Sequence, residues 1–290
     1  MTNLLPVTVV VPTLNEERML GECLSRLTRF AKVVAVDSGS KDRTVEIARA
    51  HGAEVLTFEW NGRFPKKRNW TLANHAFHTP WVFFLDADEL VSDAFCEELA
   101  ATLPTTNHVG FWVSYTNWFL GRRLRHGGAN RKLALFRVGA GEYERIDDQR
   151  WSSLDMEVHE HPILVGSTGA LRAVLEHKDD RGYAHWLAKH NDYSTWEARR
   201  SHALLLAKDE GGRPKLTWRQ KAKYHGVGRF WFPWAQFVYG YVFKAGFLDG
   251  YPGFVYASSK AVYFWHIGVK VRELKATANE ASSINEGECK

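Results

Sequence analysis

The stretch Trp81–Glu89, WVFFLDADE, decides how the rest of the chain is interpreted. Its first five residues form a short apolar and aromatic run, which is typical of a strand buried on both faces. The run ends in Asp86 and Asp88. Because side chains alternate along a strand, carboxylates at positions i and i+2 point to the same side and repel each other unless a cation or hydrogen-bond donors lie beside them. Such oxygen ligands suit Mg²⁺ or Mn²⁺, whereas the simpler alternative is that these acids open the next helix.

The composition is that of a globular chain. The 290 residues are 45% hydrophobic and 24% charged, with a formal net charge of +5, which allows one large domain or one domain with an appendage. The cysteines, Cys23, Cys96 and Cys289, have no metal-site spacing and indicate a reducing compartment. Residues 1–12 lack the pattern of a signal peptide, and the longest uncharged aromatic run, Phe230–Phe243, is too short to span a bilayer. We therefore expect a cytoplasmic protein.

Strands and helices alternate through the first third of the chain. The predicted strands are Val7–Pro12, Lys32–Asp37, Ala53–Thr57 and Trp81–Leu85, and helices are predicted between them, including Pro65–His78. This alternation predicts an α/β fold with a Rossmann-like, mostly parallel sheet flanked by helices. Ligands of such sheets bind beyond the carboxyl ends of the strands, where Thr13, Asp37, Asp86 and Asp88 lie.

From Val109 onwards the pattern changes. The predicted extended segments are Val109–Asn117, Lys132–Arg137 and Glu157–Val165, without helices between them, so we expect mixed or antiparallel strands there. A long helix is predicted at Arg181–Lys208, and the glycines and proline of residues 210–214 then break the pattern. The predicted domains are therefore an α/β domain at residues 1–210, a helical extension rich in aromatic and basic residues at 211–276, and a polar tail at 277–290.

Three motifs give these strand ends a family resemblance. They are PTLNEE (Pro12–Glu17), VDSGSKDRT (Val36–Thr44) and FLDADE (Phe84–Glu89). In this order they resemble the family 2 glycosyltransferases, which have the GT-A fold. Later segments resemble the bacterial envelope-polysaccharide branch, in particular its lipopolysaccharide-core β-glucosyltransferase-like members: RKLALFR (131–137), MEVHEHP (156–162), KHNDYSTWEA (189–198) and GFLDGYPG (246–253). The chain departs from the family at Ser38, where a second acid is common.

The resemblance implies a site for a nucleotide-sugar donor. The candidate donor-binding residues are Thr13, Asn15, Glu16, Asp37, Lys67, Arg68 and Asp86, and the candidate metal ligands are Asp86, Asp88 and His177. Thr13, Asp37 and Arg68 would lie near the base and ribose. Asp86 would contact the ribose or the metal, Asp88 the metal and the diphosphate, and His177 could reach either from the loop that follows the acidic cluster. The alternative for Lys67 and Arg68 is a solvated helix face.

The family's reaction is direct displacement at the anomeric carbon of the sugar, with inversion. A divalent cation, Mn²⁺ or Mg²⁺, stabilises the leaving diphosphate, and a carboxylate or histidine takes the proton of the acceptor hydroxyl. The candidate bases cluster in Asp155, Glu157, His159, Glu160 and His161. The resemblance favours Glu160 as the base, with Asp155 as the second choice, and either histidine could instead bind the metal. The alternative is an edge strand decorated with charge.

The region from Trp218 to Trp265 combines aromatic and basic residues. This composition suits the headgroup level of a bilayer, where amphipathic helices lie in the interface and anionic lipid attracts Lys and Arg. A small helical subdomain that uses the aromatics as its core would explain the same pattern, and both interpretations can hold together. Binding of single-stranded nucleic acid is disfavoured, because the first half already supplies a coherent enzyme, and we expect no nucleic-acid partner.

These observations predict a metal-dependent, inverting glycosyltransferase. We expect it to move a hexose from a nucleotide sugar, UDP-linked by preference, to a bacterial envelope glycolipid or polysaccharide acceptor, as a peripheral protein on the cytoplasmic face of the inner membrane. One alternative is a nucleotidyltransferase of sugar phosphates, although PTLNEE (Pro12–Glu17) is not the Gly-rich basic loop of that class. The other is a non-catalytic, membrane-associated interaction protein that keeps the GT-A fold.

Overall fold

The structure is a computed structural model that describes residues 4–128, 130–145, 160–179, 181–206 and 218–288. The chain divides into two compact units. Unit 1 comprises Met1–Trp118 and Ala129–Asp179, and unit 2 comprises Phe119–Gly128 and Asp180–Lys290. The domain boundary predicted at residue 210 falls within residues 207–217, outside the described residues, so the predicted domain limits stay a prediction.

The strands and helices follow in chain order. The strands are β1 (Leu5–Thr13), β2 (Phe30–Asp37), β3 (Glu54–Thr57), β4 (Trp81–Phe84), β5 (Glu89–Leu90), β6 (Gly110–Phe119), β7 (Arg122–Arg123), β8 (Asn130–Arg137), β9 (Gly141–Tyr143), β10 (Pro162–Leu164) and β11 (Thr168–His177). The helices are α1 (Leu20–Ser25), α2 (Thr44–Ala50), α3 (Lys67–Asn74), α4 (Asp93–Thr102), α5 (Tyr183–Leu206), α6 (Trp218–Gly226), α7 (Phe232–Val238) and α8 (Gly250–Glu288). A π-helical turn (Tyr239–Phe243) and a 3₁₀ turn (Gly246–Asp249) join α7 to α8.

The predicted α/β class is confirmed. The main sheet has the order β3-β2-β1-β4-β8-β6-β11-β5, and β3, β2, β1 and β4 are parallel. Alternate residues of the central strands enter opposite layers: Val9 and Phe83 pack with α1 and α4 residues on one face, and Val10 and Phe84 pack on the other. Burial on both faces explains why these strands read as continuous apolar runs.

The second half of the sheet is mixed, as expected, but its elements differ from the sequence predictions. β8 lies between β4 and β6 and is antiparallel to both, whereas β11, which was not predicted, is parallel to β6. The segment predicted as extended at Glu157–Val165 has a strand only at Pro162–Leu164, and residues 157–159 lie outside the described residues. The helix predicted at Pro65–His78 is shorter and begins at Lys67.

Unit 2 is helical within its described residues, apart from the short strand β7 and the end of β6. Its core contains Ala198 of α5, Phe232 of α7, and Tyr263, Ile267 and Val271 of α8. The expected helical C-terminal region is therefore present, and part of its aromatic content is core. Helix α8 continues through Glu288, so the backbone of the polar tail is helical over most of its length. None of the helices in the described part of the chain combines the length and the apolar character that a membrane span requires.

Lys260 of α8 is a half-buried cation of unit 2, and it makes the stability of this unit pH-dependent. Burial, together with the neighbouring charges of Lys223 and Lys244, lowers the pKa of Lys260 to about 8, while Glu197 opposes this shift. Below that pKa the folded protein carries a charge that the unfolded chain solvates better.

We predict that Lys260→Met raises the free energy of unfolding at pH 7, by up to about 3 kcal/mol, because it removes this penalty. The gain should shrink between about pH 8 and pH 10.5, where the folded and then the unfolded lysine become neutral. Urea unfolding at pH 7 and pH 10 measures both effects. The exposed Lys275→Met on the same helix is the control, and an equal change in the two variants would contradict the prediction.

Candidate active site

Thr13 and Asp37 end neighbouring parallel strands and are paired in register. The hydroxyl of Thr13 donates to Asp37 Oδ1 at 3.1 Å. The same carboxylate accepts the backbone N–H groups of Gly39 at 2.9 Å and Ser40 at 2.8 Å, and also the hydroxyl of Ser40. A carboxylate has about four acceptor positions, so the buried Asp37 is largely saturated by its own chain and fixes the turn after β2.

Ser38 lies inside this turn, at the position where the family often has a second acid. Its hydroxyl oxygen is buried and has no hydrogen-bond partner among the described residues. A buried polar group without a partner costs free energy. A molecule that supplied the missing partner would therefore be favoured at the end of β2.

The loops after β1 and β2 are joined to each other. Asn15 Oδ1 accepts the N–H of Lys41 at 2.9 Å, and the N–H of Asn15 donates to Ser40 Oγ at 2.8 Å. The N–H of Glu16 donates to Thr44 Oγ1 at 2.7 Å. These contacts fix the strand-end loops in place, and contact of Asn15 and Glu16 with a donor stays a prediction.

Three basic residues open α3, with Lys66 as its N-cap residue and Lys67 and Arg68 as its first helical residues. The positive end of the helix dipole disfavours cations here unless an anion lies nearby. Lys66 and Lys67 are buried, and Arg68 is 13% exposed. The interpretation of a solvated helix face is therefore wrong. Lys67 Nζ donates to the carbonyl oxygen of Thr13 at 3.4 Å, which brings α3 to the end of β1.

Asp86 lies between two cations just beyond β4. Its Oδ1 is 3.2 Å from Arg68 Nη2 and its Oδ2 is 2.8 Å from Lys132 Nζ. Lys132 also contacts Glu89 Oε2 at 2.6 Å, and this carboxylate oxygen accepts the N–H of Asp86 at 3.0 Å. The site is thus a network of two acids and two bases, formed by β8, α3 and the segment after β4.

Charge compensation determines the protonation of this network. Burial opposes the charge of Asp86, but Lys132 and Arg68 outweigh it and hold the pKa of Asp86 below its ordinary value. Burial raises the pKa of Glu89, with a further increase from Asp86 that Lys132 opposes. Burial also works against the charge of Lys132, yet Asp86 and Glu89 raise its pKa above the ordinary value. Asp86 and Lys132 are therefore an ionised pair at neutral pH.

Sequence reasoning did not identify Lys132 as a site residue. The antiparallel register pairs Phe83 of β4 with Leu135 of β8. Asp86 lies three residues after Phe83, and Lys132 lies three residues before Leu135. Lys132 follows Arg131 at the start of an apolar run, so the available signal was a cation that directly adjoins a predicted buried strand. Its partner could be found only from the strand pairing.

Asp88 and His177 form a second pair. His177 Nε2 lies 3.3 Å from Asp88 Oδ2. The expectation that His177 lies in a loop is wrong, because it is the last residue of β11. A carboxylate and an imidazole are suitable ligands for Mn²⁺, and such cations commonly take their remaining ligands from phosphates and water. The described residues contain no cluster of three or more His, Cys, Asp or Glu side chains that could hold a metal, so these two fit a cation that shares its ligands with a substrate.

Glu160 lies next to Lys66, with 3.4 Å between Oε1 and Nζ and both side chains buried. Because Lys66 caps α3, Glu160 is at the same helix end as Lys67 and Arg68. Glu160 lies two residues before β10 and is not part of a strand. The second candidate base, Asp155, lies outside the described residues and stays a prediction.

Sequence comparisons relate the chain to known glycosyltransferases. Residues 8–159, more than half of the chain, match the sequence model of glycosyl transferase family 2. The lipopolysaccharide core biosynthesis glycosyltransferase LpsC of Rhizobium meliloti is 27% identical over 97% of this chain and 98% of its own length. An uncharacterized glycosyltransferase of Mycobacterium tuberculosis is 34% identical over 33% of this chain and 43% of its own length.

Among solved structures, the mannosyltransferase PcManGT of Pyrobaculum calidifontis, in complex with GDP-Man and Mn²⁺, superposes with a TM-score of 0.51. It covers 92% of this chain and 86% of its own, at 19% identity. This likeness shows the GT-A fold that the sequence motifs predicted. On the family match and the fold together, the chain belongs to glycosyl transferase family 2.

Proposed function

We propose that the protein is a metal-assisted, inverting hexosyltransferase that uses a nucleotide sugar, UDP-linked by preference. One observation carries the proposal: three groups of oppositely charged side chains and the hydrogen-bonded pair of Thr13 and Asp37 lie where β1, β2, β4 and β11 end and α3 begins. In an α/β sheet this is the edge where ligands bind. The alternatives of a nucleotidyltransferase and a non-catalytic protein have no comparable support among the described contacts.

The base and ribose of the donor are assigned to the ends of β1 and β2. Asp37 and Thr13 hold the turn after β2, and the buried hydroxyl of Ser38 offers a hydrogen bond that no other described residue takes up. Asp37 and Asp86 follow strands that are separated by β1 alone, so at about 4.8 Å per strand the two ends lie roughly 10 Å apart. That span suits a nucleoside at one end and its diphosphate at the other.

The diphosphate is assigned to the basic end of α3. The positive helix end and the cations of Lys67 and Arg68 repel one another, and an anion removes that cost. Lys132 adds a further charge, and Asp86 holds Arg68 and Lys132 on either side of itself. In this arrangement Asp86 orients two phosphate-binding cations, and the metal is assigned to Asp88 and His177.

Asp88 and His177 would hold Mn²⁺ or Mg²⁺ together with the donor phosphates. When bound, the cation neutralises charge on the departing diphosphate. The two side chains would fix its position beside β11. The PcManGT structure, which contains GDP-Man and Mn²⁺, is consistent with a cation and a nucleotide sugar on this fold.

Glu160 is assigned as the base that accepts the proton of the acceptor hydroxyl. It is held by Lys66, the residue that precedes the phosphate-binding cations of α3. Lys66 therefore links the position of the base to the position of the diphosphate.

The acceptor is assigned as a bacterial envelope glycolipid or polysaccharide intermediate, by likeness to LpsC, whose name gives lipopolysaccharide core biosynthesis. A lipid-linked acceptor places the reaction at a membrane surface. We therefore propose a peripheral location on the cytoplasmic face of the inner membrane.

We predict that Asp88→Asn weakens the Mn²⁺-dependent binding of UDP by at least about tenfold, which corresponds to about 1.4 kcal/mol. The amide keeps the size of the side chain but removes the charge that a cation needs. Isothermal titration with UDP, with and without Mn²⁺, measures the effect. Asp192→Asn, an exposed acid on α5, is the matched control, and unchanged Mn²⁺-dependent affinity in Asp88→Asn would contradict the metal assignment.

We predict that Glu160→Gln leaves UDP–Mn²⁺ affinity within about twofold of the wild type but slows hexose transfer by about 10²- to 10⁴-fold, the range expected for loss of a general base. Transfer of labelled hexose from UDP-sugars to a truncated-core glycolipid extract measures the rate. Glu142→Gln, an exposed glutamate on β9, is the control. Transfer at a normal rate in Glu160→Gln would exclude this residue as the base.

A further inference from the structure

Unit 2 exposes large apolar side chains in one continuous region of the sequence. Phe230 is 81%, Trp234 70%, Phe243 77% and Trp265 55% exposed. Further exposed apolar residues of the same region are Trp231, Val238, Tyr239, Val242, Phe247, Leu248, Tyr251, Phe254, Val262 and Val269. Clustered exposure on this scale marks an interaction surface rather than the scattered apolar residues of an ordinary exterior.

Helix α8 shows that this surface is separate from the core. One stripe of the helix, with Tyr263, Ile267 and Val271, is buried within unit 2. A second stripe recurs at helical spacing on the outward side, with Tyr251, Phe254, Ser258, Val262, Trp265 and Val269. A helix that only packs on its own unit needs the first stripe alone, so the second is available for a partner.

A groove runs between α7 and the outward stripe of α8. Its volume is about 690 Å³, within the roughly 300–1,000 Å³ of small-molecule sites. Its walls include Trp234 and Phe237 from α7, and Phe254 and Trp265 from α8. The lining is apolar except for Ser258 and the two arginines described next.

Arg229 and Arg272 both line the groove. Arg272 is its last lining residue along α8, and Gly228, which precedes Arg229, lies against Gly268 near the same end. Arg272 Nη2 donates to the carbonyl oxygen of Gly228 at 2.8 Å, and Arg229 Nη2 lies 2.8 Å from His225 Nε2. The two guanidinium groups are therefore held beside His225 and Gly228, in the segment that leads from α6 to α7. An apolar channel that ends at two cations is complementary to a lipid. The hydrocarbon chain would lie in the channel, and the anionic headgroup would contact the cations.

The charge of the surrounding segment points the same way. Residues 229–272 contain one acid, Asp249, and five basic residues. Of these, Lys260 lies over the ring of the core residue Tyr263 and Lys270 donates to Asn191 of α5, so the cations counted for this face are Arg229, Lys244 and Arg272. The carboxylate of Asp249 accepts the backbone N–H groups of Arg125 and His126 at 2.9 and 2.8 Å, so it is engaged inside unit 2. The face is thus apolar and positively charged, which matches the interface of an anionic bilayer.

We propose that this face of unit 2 docks on an anionic phospholipid bilayer, and that the groove between α7 and α8 takes one acyl chain whose phosphate contacts Arg229 and Arg272. A second copy of the chain fits less well, because a symmetric contact would set the same positive face against itself. The inference rests on the proposed function in one respect: docking on the bilayer would bring the enzyme to a lipid-linked acceptor.

The first test is flotation of the full-length protein with vesicles of neutral phosphatidylcholine, with and without phosphatidylglycerol. The wild type should float with the anionic vesicles only. Arg229→Gln combined with Arg272→Gln should reduce partitioning roughly 10- to 30-fold, since each basic group at an anionic surface contributes severalfold. Trp234→Ser combined with Trp265→Ser should also lose binding. The control, Lys41→Gln combined with Arg49→Gln, makes the same change in net charge on exposed residues of unit 1.

The second test addresses the groove itself. Ala261→Phe fills it while preserving the apolar character of the face, and should lower the affinity for monomeric short-chain phosphatidylglycerol at least tenfold, as measured by titration. Ala235→Phe, on an exposed position of α7 that does not line the groove, is the matched control. Equal affinity in the two variants would overturn the assignment of the groove to an acyl chain.

Titration of UDP–Mn²⁺ on the same preparations separates the two proposals. Retained nucleotide binding without vesicle binding would overturn the docking inference alone, and vesicle binding without nucleotide binding would count against the proposed donor site alone. Sedimentation velocity distinguishes the occupants: a wild-type dimer that the tryptophan variant converts to a monomer would show that a second copy covers this face, and would overturn the lipid proposal.

Discussion

Charge compensation around Asp86 is the constraint on which the site depends. Asp86 and Glu89 follow a strand buried on both faces, and two carboxylates so close together are tolerated only because Lys132 contacts both of them. Arg68 completes the balance from α3. The same four charged side chains join β8, α3 and the segment after β4. A site whose cations are fixed by its own acids is preorganised for an anionic ligand, because no side chain has to be recruited when the ligand arrives.

The sequence predicted the part of this arrangement that depends on local pattern. Runs such as Val7–Pro12 and Trp81–Leu85 predict strands because apolar residues continue without alternation, and their ends identify Thr13, Asp37, Asp86 and Asp88. What it could not predict is non-local pairing. Lys132 reaches Asp86 only because β8 lies antiparallel between β4 and β6. No predicted turn or helix in the sequence indicates this strand order.

The same limit applies to the other site residues. His177 was identified by its chemistry but was placed in a loop, because β11 lacks a clear alternation and pairs with β6 in parallel over a long connection. Asp37 accepts hydrogen bonds from Thr13 and from its own turn, which the sequence did not predict, and its contact with a donor stays a prediction. The type of a residue and its position at the end of a strand identify the edge of the sheet where a functional site is expected. The hydrogen bonds that hold each side chain in place depend on contacts between distant segments, which no sequence spacing encodes.

The aromatic region of unit 2 shows how one composition can serve two purposes. From sequence, core packing and a membrane interface explained the tryptophans, tyrosines and phenylalanines equally well, because both require apolar residues at helical spacing. The structure separates them by helix face: Tyr263 and Ile267 are core, whereas Trp265 and Val269, two residues further on in each case, face outward. A two-residue step rotates about 200° around a helix with 3.6 residues per turn. Apolar residues on opposite faces of α8 therefore meet different surroundings, and only the inner face is accounted for by the folding of unit 2.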